Sequence, residues 1–211
     1  MTGFRNRCQA GIELARRVAE LNLSDAVVLG LPRGGVPVAA EVAAALKVPL
    51  DVIVVRKLGV PGNPELGMGA IAEESVVVFN DEVVEWAHVN TFDVQSAIGV
   101  ERRNLLERID LIRAAVAKQD LTGKTAVVVD DGIATGIDAR AACRAARNRG
   151  ARKVVLATPV APEGWQRKLE GEADDYVAVL TASDFMAVGQ FYEDFSPVDD
   201  SEMLGYFNVR T

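Results

Sequence analysis

The length, composition and charge of the chain favour a single globular domain. It has 211 residues, of which 49% are hydrophobic and 25% charged, so it can bury one sizeable core and is neither disordered nor fibrous. The net charge of −7, with no basic stripe, argues against a nucleic-acid partner. Its apolar runs are under half the roughly 20 residues that span a bilayer, and its start lacks the apolar core of a signal peptide. We therefore expect one domain over residues 1–211, in the cytoplasm and without a membrane partner.

The first half of the chain predicts helices and strands in alternation. Hydrophobic spacing predicts helices over residues 5–22 and 36–46 and strands over residues 26–31, 50–55 and 76–79. Glycines and prolines from Gly59 to Gly69 predict a loop of about a dozen residues. Because loops of that length are often lids, we expect a flexible segment over about residues 58–73.

The second half continues the alternation and predicts the fold class. Residues 93–118 predict a long helix, with Leu105, Leu106, Ile109, Ile112 and Val116 inward and Arg102, Arg103, Glu107 and Arg108 outward. Strands are expected at residues 125–129, 154–158 and 176–180, and a helix at residues 137–149. Fully apolar strands between helices predict an α/β fold with a doubly wound, mostly parallel sheet. The last thirty residues hold most of the aromatic side chains, which either cap the core or wall a pocket.

The cysteines and the histidine do not indicate a metal site. Cys8 and Cys143 are far apart without a CxxC spacing, and His88 is the only histidine. We expect Cys143 to be a small buried thiol and His88 to lie at the surface or cap a helix.

The segment VVVDDGIATGID, residues 127–138, carries the clearest chemical signal. It reads as a buried strand that ends in Asp130 and Asp131 and then passes through a glycine-containing loop into a helix. In a parallel sheet, ligands bind outside the carboxyl ends of the strands. The loop and the helix start offer N–H groups to a phosphate, while the two acids suit sugar hydroxyls or a hydrated Mg²⁺. The pattern therefore predicts a site for a phosphorylated sugar.

The glycine-containing segments allow other interpretations. Asp130, Asp131 and Gly132 could merely end a strand and make a turn. The GKT at residues 123–125 is not a Walker A loop, because Lys118 stands where the first glycine is required. GMGAIA at residues 67–72 matches a dinucleotide pattern in form only, since it does not follow a buried strand.

Three motifs resemble those of the type I phosphoribosyltransferases. VVVDDGIATG resembles the family's phosphoribosyl diphosphate (PRPP) motif, LPRGG at residues 31–35 its diphosphate loop, and VVRK at residues 54–57 the basic end of the next strand. FRNR, VRKLGVPGNPELGMGAIAE and FYEDF further resemble a group of bacterial members whose acceptor is generally unassigned. The resemblance covers nearly the whole chain and implies hood elements at about residues 160–211.

The resemblance implies a Mg²⁺-dependent transfer of the phosphoribosyl group of PRPP to a nitrogen acceptor in nucleotide metabolism, with release of diphosphate. The residues implied in catalysis are Asp130, Asp131 and Lys57. The implied ribose and 5′-phosphate site is Asp130, Asp131, Gly132, Ile133, Ala134, Thr135, Gly136, Ile137 and Asp138. The implied diphosphate site is Arg33, Gly34, Gly35, Arg56 and Lys57. Mg²⁺ would be held mainly by PRPP, with Asp130 and Asp131 nearby.

The physical properties of these residues agree with their implied roles. Gly34 and Gly35 let the backbone approach an anion closely, and Arg33, Arg56 and Lys57 are cations at strand ends of an acidic protein. The alternative for the cations is an ordinary solvated strand end.

One residue departs from the family pattern. Asp138 stands where the phosphate loop usually has Thr or Ser, so a hydroxyl donor is lost and a carboxylate lies near the phosphate. An acid in the first turn stabilises a helix, so we expect Asp138 to turn outward.

Rival functions and the acceptor stay open. Asp138 motivates a non-catalytic regulator that senses PRPP or a nucleotide on the same fold, and a ribose phosphate hydrolase acting through Asp130 or Asp131 lacks support nearby. The candidates for stacking on an acceptor are Tyr176, Phe185, Phe191, Tyr192 and Trp165, although core packing explains many of them. The resemblance and the long helix also predict a homodimer.

Overall fold

The computed structural model describes residues 3–208. Its strands are β1 (Ala26–Gly30), β2 (Leu50–Val52), β3 (Val55–Val60), β4 (Asn63–Ala72), β5 (Val76–Phe79), β6 (Thr125–Val129), β7 (Lys153–Pro162) and β8 (Asp175–Ala182). Its helices are α1 (Arg7–Ala19), α2 (Gly35–Leu46), α3 (Asp81–Trp86), α4 (Thr91–Arg113), α5 (Ile137–Asn148), α6 (Trp165–Lys168) and α7 (Asp200–Asn208), with a 3-10 turn at Val188–Phe191. Within the described residues, no helix is long and apolar enough to cross a membrane.

The central sheet confirms the predicted fold class. Five parallel strands lie in the order β2-β1-β6-β7-β8, so β1 is bonded to β2 on one side and to β6 on the other. The direction of winding reverses between β1 and β6, and the two following helices lie on opposite faces. In such sheets a crevice opens at the carboxyl ends of the strands where the winding reverses. The loops after β1 and β6 therefore border the expected site.

The sheet strands are short, apolar and buried on both faces. Every residue of β1 and β6 is buried, which is typical of parallel strands covered by two layers. On one face Leu14 and Val18 of α1 and Val38 and Val42 of α2 form the core. On the other face the alanines of α5 pack against the sheet and against β4 and β5.

The predicted loop at residues 58–73 is wrong, because this segment forms most of a β-hairpin. Strands β3, β4 and β5 make an antiparallel sheet, and Gly62, with φ of 82°, lies in the turn between the first two. A Cβ added at Gly69 would lie 2.3 Å from the carbonyl oxygen of Val78. The glycine therefore allows neighbouring strands to approach closely, whereas its presence had suggested a loop.

The long helix is shorter and less regularly buried than predicted. It ends at Arg113 instead of residue 118, and Leu106, expected inward, is 54% exposed. Arg108, expected outward, is partly buried and donates two hydrogen bonds to Asp200 of α7, at 2.7 and 2.6 Å. Packing of α7 against α4 is a tertiary feature that the periodicity of α4 alone does not reveal.

The cysteine and histidine positions agree with the sequence expectations. Cys143 is buried in α5, and burial raises the pKa of its thiol to about 12. His88 is exposed just after α3.

The two ends of the described chain pack together beside the site. The backbone N–H of Phe4 donates to Phe191 at 2.7 Å, and the N–H of Glu193 donates to Phe4 at 2.8 Å. Phe4, Phe191 and Tyr192 form a small apolar cluster, against which Phe185 and Phe195 pack. The cluster contains part of the C-terminal aromatic region, whereas Tyr206 and Phe207 pack against a different apolar cluster, and the Tyr206 hydroxyl lies 3.4 Å from Sγ of Cys8 in α1.

Candidate functional site

The loops after β1 and β6 touch each other because two glycines remove side chains between them. A Cβ at Gly34 would lie 2.1 Å from Oδ2 of Asp131, and a Cβ at Gly35 would lie 2.7 Å from the carbonyl oxygen of Val129. The N–H of Leu31 also donates to Val129 at 2.9 Å, which ties the two strand ends together. The structure thus brings LPRGG and the two acids to one point at the sheet edge.

Asp130 and Asp131 form an adjacent carboxylate pair, which we call the site pair. The backbone N–H of Asp131 donates to Oδ1 of Asp130 at 2.9 Å. Burial raises the pKa of Asp130 well above its ordinary value, and the neighbouring Asp131 charge adds to the rise. Burial also raises the pKa of Asp131, while a hydrogen bond from Arg7 opposes that rise. The site pair therefore holds negative charge at an electrostatic cost in the free protein.

The phosphate loop, residues 132–136, connects the site pair to α5. Ile133 is buried and its N–H donates to Val160 at 2.9 Å, which anchors the loop, while Ala134 and Thr135 are exposed. Gly136 precedes α5 with φ of 82°, a left-handed conformation that favours glycine, and no side chain caps the helix start. An exposed loop that leads to an uncapped helix start is suited to an anion.

Asp138 does not turn outward as expected. Its Oδ1 is buried, and in the part of the chain that the structure describes this atom has no hydrogen-bond partner. Burial raises the pKa of Asp138, and the positive charge of Lys57 opposes the rise. The expectation of a solvent-facing carboxylate came from the favourable charge of an acid in the first turn of a helix. The position of the Asp138 side chain is instead determined by its packing.

The three predicted cations lie in different surroundings. Lys57 on β3 donates through Nζ to the carbonyl oxygen of Glu65 at 2.5 Å, and its positive charge opposes the rise in the pKa of Asp138. Arg56 precedes it on the strand and therefore points to the opposite face, where it pairs with Glu101 of α4 at 3.0 Å. The Arg33 side chain is 50% exposed, with NH1 3.8 Å from Asp200. The structure thus gives the three cations different partners, and of these partners only those of Arg33 and Arg56 are carboxylates.

Two residues contact the site pair in ways that the sequence analysis did not predict, since Arg7 was noted only within FRNR and Tyr192 only as a stacking candidate. Nε of Arg7 donates to Oδ2 of Asp131 at 2.7 Å, and the hydroxyl of Tyr192 donates to the carbonyl oxygen of Asp131 at 2.6 Å. They come from opposite ends of the described chain, so no local pattern joins them to the PRPP motif. The one available signal for Arg7 was its place in FRNR, in the first turn of a helix, where a cation is unfavourable.

The residues present fit a loosely held magnesium ion better than a protein-built metal cage. Among the described residues no three His, Cys, Asp or Glu side chains cluster as a metal site. Two neighbouring carboxylates at the crevice suit an ion that keeps most of its water and takes the rest of its ligands from a bound phosphate compound.

A parallel sheet with an acid pair and a phosphate loop at its winding reversal is the architecture of a sugar-phosphate-binding α/β protein. A family model described as the phosphoribosyl transferase domain matches residues 5–196. The chain belongs to this family, as its motifs predicted.

Relatives and solved structures agree with this assignment. A Mycobacterium tuberculosis H37Rv protein named "Putative phosphoribosyl transferase" is 49% identical over 208 residues, which are 97% of this chain and 46% of that protein. The chain thus spans about half the length of the curated relatives it matches. The crystal structure of TT1426 from Thermus thermophilus is similar with a TM-score of 0.81 and 39% identity, and the match covers 97% of each chain. A hypothetical protein from Neisseria gonorrhoeae with bound ppGpp shares the fold, with a TM-score of 0.53 and 13% identity over 96% of this chain and 92% of that one.

Proposed function

We propose that the chain is a Mg²⁺-dependent phosphoribosyltransferase that transfers the 5-phosphoribosyl group of PRPP to a nitrogen acceptor and releases diphosphate. The acceptor would be a nucleobase or a similar heterocycle. The observation that carries the proposal is the contact of the Gly34–Gly35 loop with the site pair at the winding reversal of the sheet. Family membership and the exposed phosphate loop support it.

The proposed donor position follows from charge and hydrogen-bonding capacity. The 5′-phosphate would lie on residues 132–138, where the loop and the start of α5 offer N–H groups. The carboxylates of the site pair would accept hydrogen bonds from the ribose hydroxyls. The diphosphate would lie near Arg33, Gly34 and Gly35, with Lys57 reaching it from the hairpin. Arg56 would contribute to this field only from behind the crevice, because it pairs with Glu101.

In the proposed reaction, the acceptor nitrogen attacks the anomeric carbon as the bond to diphosphate breaks. Positive charge then develops on the ribose, and the negative charge of the site pair would stabilise it. The Arg33 loop and Lys57 would hold the departing diphosphate, while the phosphate loop would orient the sugar for attack. Bound Mg²⁺, with Asp130 and Asp131 near its water shell, would supply charge neutralisation for the diphosphate. No covalent protein nucleophile is required.

The hairpin is the proposed lid. Its turn residues 61–65 are exposed, whereas Met68 and the following residues of β4 are buried, so the tip is free of packing and the base is anchored. Closure of the tip over PRPP would exclude water, which otherwise hydrolyses the activated ribose. This lid would bend as a β-structure instead of refolding from a loop.

The acceptor would bind beside the site pair, under the cluster of Phe4, Phe191 and Tyr192. Gly132 touches this side of the site, because a Cβ there would lie 2.3 Å from Cγ1 of Val188. Of the five stacking candidates, Trp165 and Tyr176 pack with the α5 side of the core and are poorly placed, while Phe185, Phe191 and Tyr192 lie in or against the cluster.

We further propose that the protein acts in the cytoplasm as a homodimer. Phe92 and Leu106 on α4 are 80% and 54% exposed, and they lie two helical turns on either side of Gly99. Such a stripe is suited to the same stripe of a second copy. Sedimentation at micromolar concentration would test the dimer, and a monomer would contradict it.

Asp138 should weaken PRPP binding, because its buried carboxylate lies where a phosphate must be accommodated. We expect Asp138→Thr to tighten PRPP binding, since the change replaces a negative charge with a hydroxyl donor. Calorimetric titration would measure the difference, and equal or weaker affinity in the variant would contradict this interpretation.

The first experiment on the proposed function is calorimetric titration with PRPP, with and without Mg²⁺. We expect saturable binding that requires Mg²⁺, is weakened in Asp131→Asn to an affinity still measurable at millimolar PRPP, and is kept in Asp110→Asn, a matched change at an exposed position of α4. A screen of nucleobases for diphosphate release would then identify the acceptor, and Asp131→Asn should reduce turnover by orders of magnitude. Binding without transfer to any acceptor would favour the regulatory alternative, and no binding at millimolar PRPP would refute the donor site.

A further inference from the structure

We propose that Arg7 is a positioning residue of the PRPP site, acting through Asp131. It would hold one oxygen of that carboxylate so that the other faces the ribose. The inference rests on the proposed function and assigns a role to a residue outside the PRPP motif.

The contacts of Arg7 define one fixed position for its guanidinium. Nε donates to Oδ2 of Asp131 at 2.7 Å, and NH1 donates to the carbonyl oxygen of Ser196 at 2.8 Å. The central guanidinium carbon lies 3.9 Å from the centre of the Phe195 ring. Two of these contacts are made by N–H groups at the edges of the planar guanidinium, and the third is made by its face. A lysine ammonium has no planar group and does not provide this combination.

Gly34 and Tyr192 also hold Asp131 in place, at its Oδ2 atom and at its backbone. Gly34 stands so close that any Cβ would collide with Oδ2, and the hydroxyl of Tyr192 fixes the Asp131 carbonyl. Among the described residues no other side chain forms an ion pair with this carboxylate. Because Arg7 occupies Oδ2, Oδ1 is the atom through which Asp131 would accept a hydrogen bond from ribose.

The local structure alone does not favour a positive charge at position 7. It is the first residue of α1, whose first turn contains no acid, and the positive end of the helix dipole repels a cation there. The Arg7 and Asp131 side chains are also only 11% and 14% exposed, so both charges lose much of their hydration. A buried pair in this position is better explained by the geometry it imposes on Asp131 than by stability.

The same side chain joins the donor site to the acceptor side. Phe195 stacks near Tyr192, with ring centres 5.0 Å apart, and Tyr192 contacts the backbone of Asp131. Arg7 therefore lies between the aromatic cluster and the carboxylate. Its loss should disturb the acid first and the aromatic wall second.

The test is a double-variant cycle read by calorimetric titration with PRPP and Mg²⁺. We expect Arg7→Ala to weaken PRPP binding by about tenfold or more, as for loss of a charge-assisted hydrogen bond. Arg5→Ala is the matched control, since it removes an exposed arginine two residues away and should leave affinity unchanged. Arg7→Lys should recover part of the affinity, because it keeps the charge and loses the planar geometry.

The cycle separates action through Asp131 from a general effect on folding. In an Asp131→Asn background, Arg7→Ala should change the remaining affinity by less than about twofold, because its partner is already altered. An undiminished effect in that background, or wild-type affinity of folded Arg7→Ala, would overturn the inference. If Arg7→Ala does not fold, Arg7→Gln keeps the stem and a donor and is subject to the same criteria. Failure of the wild-type protein to bind PRPP would instead refute the proposed function, and the inference with it.

Discussion

Asp51 and the site pair are largely buried acids of the central sheet, but their negative charges are compensated differently. Asp51 is fully buried at β2 and bonds to two arginines, Arg113 at 2.5 Å and Arg149 at 2.7 Å. Its two oxygens also accept the backbone N–H groups of Val52 and Gln119. We call these three charged residues the Asp51 cluster. Every oxygen there has a cation and an N–H donor, so the cluster fixes structure and leaves no capacity for a ligand.

The site pair is enclosed too but poorly compensated. Asp130 receives one backbone N–H, and its carboxyl group lies beside a second carboxylate, so its pKa is raised well above the usual value. Only Asp131 has a cation in contact, through Arg7. The comparison teaches that a burial pattern alone does not identify a site: a buried acid with all its partners is structural, whereas one that lacks them is available to a ligand.

The largest expected effect is the loss of stability on removing Asp51. Asp51→Ala leaves the buried Arg149 without its counter-charge and leaves Arg113 to the more distant Glu73 at 3.6 Å, and breaking a buried pair costs about 3–5 kcal/mol. Urea unfolding should show this loss in the free energy of unfolding, whereas Asp110→Ala on the surface of α4 should change it by less than about 0.5 kcal/mol. A loss below about 1 kcal/mol in Asp51→Ala would mean that the cluster is not a structural anchor.

A smaller change in stability with a large change in binding is expected at Gly34. Its φ of −63° suits any residue, so Gly34→Ala is opposed by close contacts alone, chiefly the collision with Oδ2 of Asp131 and to a lesser degree an approach of 3.2 Å to Nε of Arg7. The carboxylate must move, and PRPP affinity should fall at least about tenfold, with a stability loss of about 1–3 kcal/mol. Gly205→Ala in α7 is the control, because nothing lies within 4 Å of its added Cβ and it should stabilise the helix by about 0.5–1 kcal/mol. Unchanged PRPP affinity in Gly34→Ala would show that this loop is not part of the donor site.

The smallest effect, and one of opposite sign, is expected at Asp130. Asp130→Asn removes a charge that burial and Asp131 disfavour, so the free energy of unfolding should rise by about 0.5–2 kcal/mol while PRPP binding weakens. A raised pKa means that the carboxylate lowers stability above the ordinary aspartate value of 3.8 and has no such effect below it. The gain should therefore be present at pH 7 and disappear near pH 3.

Chemical unfolding of wild type and Asp130→Asn without Mg²⁺ at both pH values would measure this gain. Destabilisation at pH 7 would place Asp130 with Asp51 among the structural acids.

The strands of the central sheet were predictable because their signal is local. Thr125–Val129 forms β6 over the residues predicted, since an unbroken apolar run between a glycine and two acids has one favourable position in a sheet covered on both faces. The position of LPRGG and the acid pair at the same edge of the sheet follows from the predicted fold class, because parallel strand ends meet at one edge.

The features that the sequence did not reveal depend on distant contacts. Gly69 reads locally as a loop residue, and only its closeness to Val78 shows that it belongs to a strand. Asp138 reads as a helix-start acid, and its inward position results from packing beside Lys57. Arg7 lies 124 residues from Asp131 in the chain, so no spacing rule joins them. The acceptor is hidden for the same reason, since its proposed wall combines Phe4 with residues near position 191.

The two sides of the crevice come from different parts of the chain, so one side is able to change in sequence while the other is kept. The donor loops are continuous with β1 and β6, whose geometry is fixed by the whole sheet. The covering layer, which is the cluster of Phe4, Phe191 and Tyr192, is held to the sheet edge by Arg7 and by a few backbone hydrogen bonds between Phe4 and residues 191–193. Substitutions in these peripheral segments alter the covering layer without disturbing the sheet. The proposed donor site is thereby compatible with different acceptors.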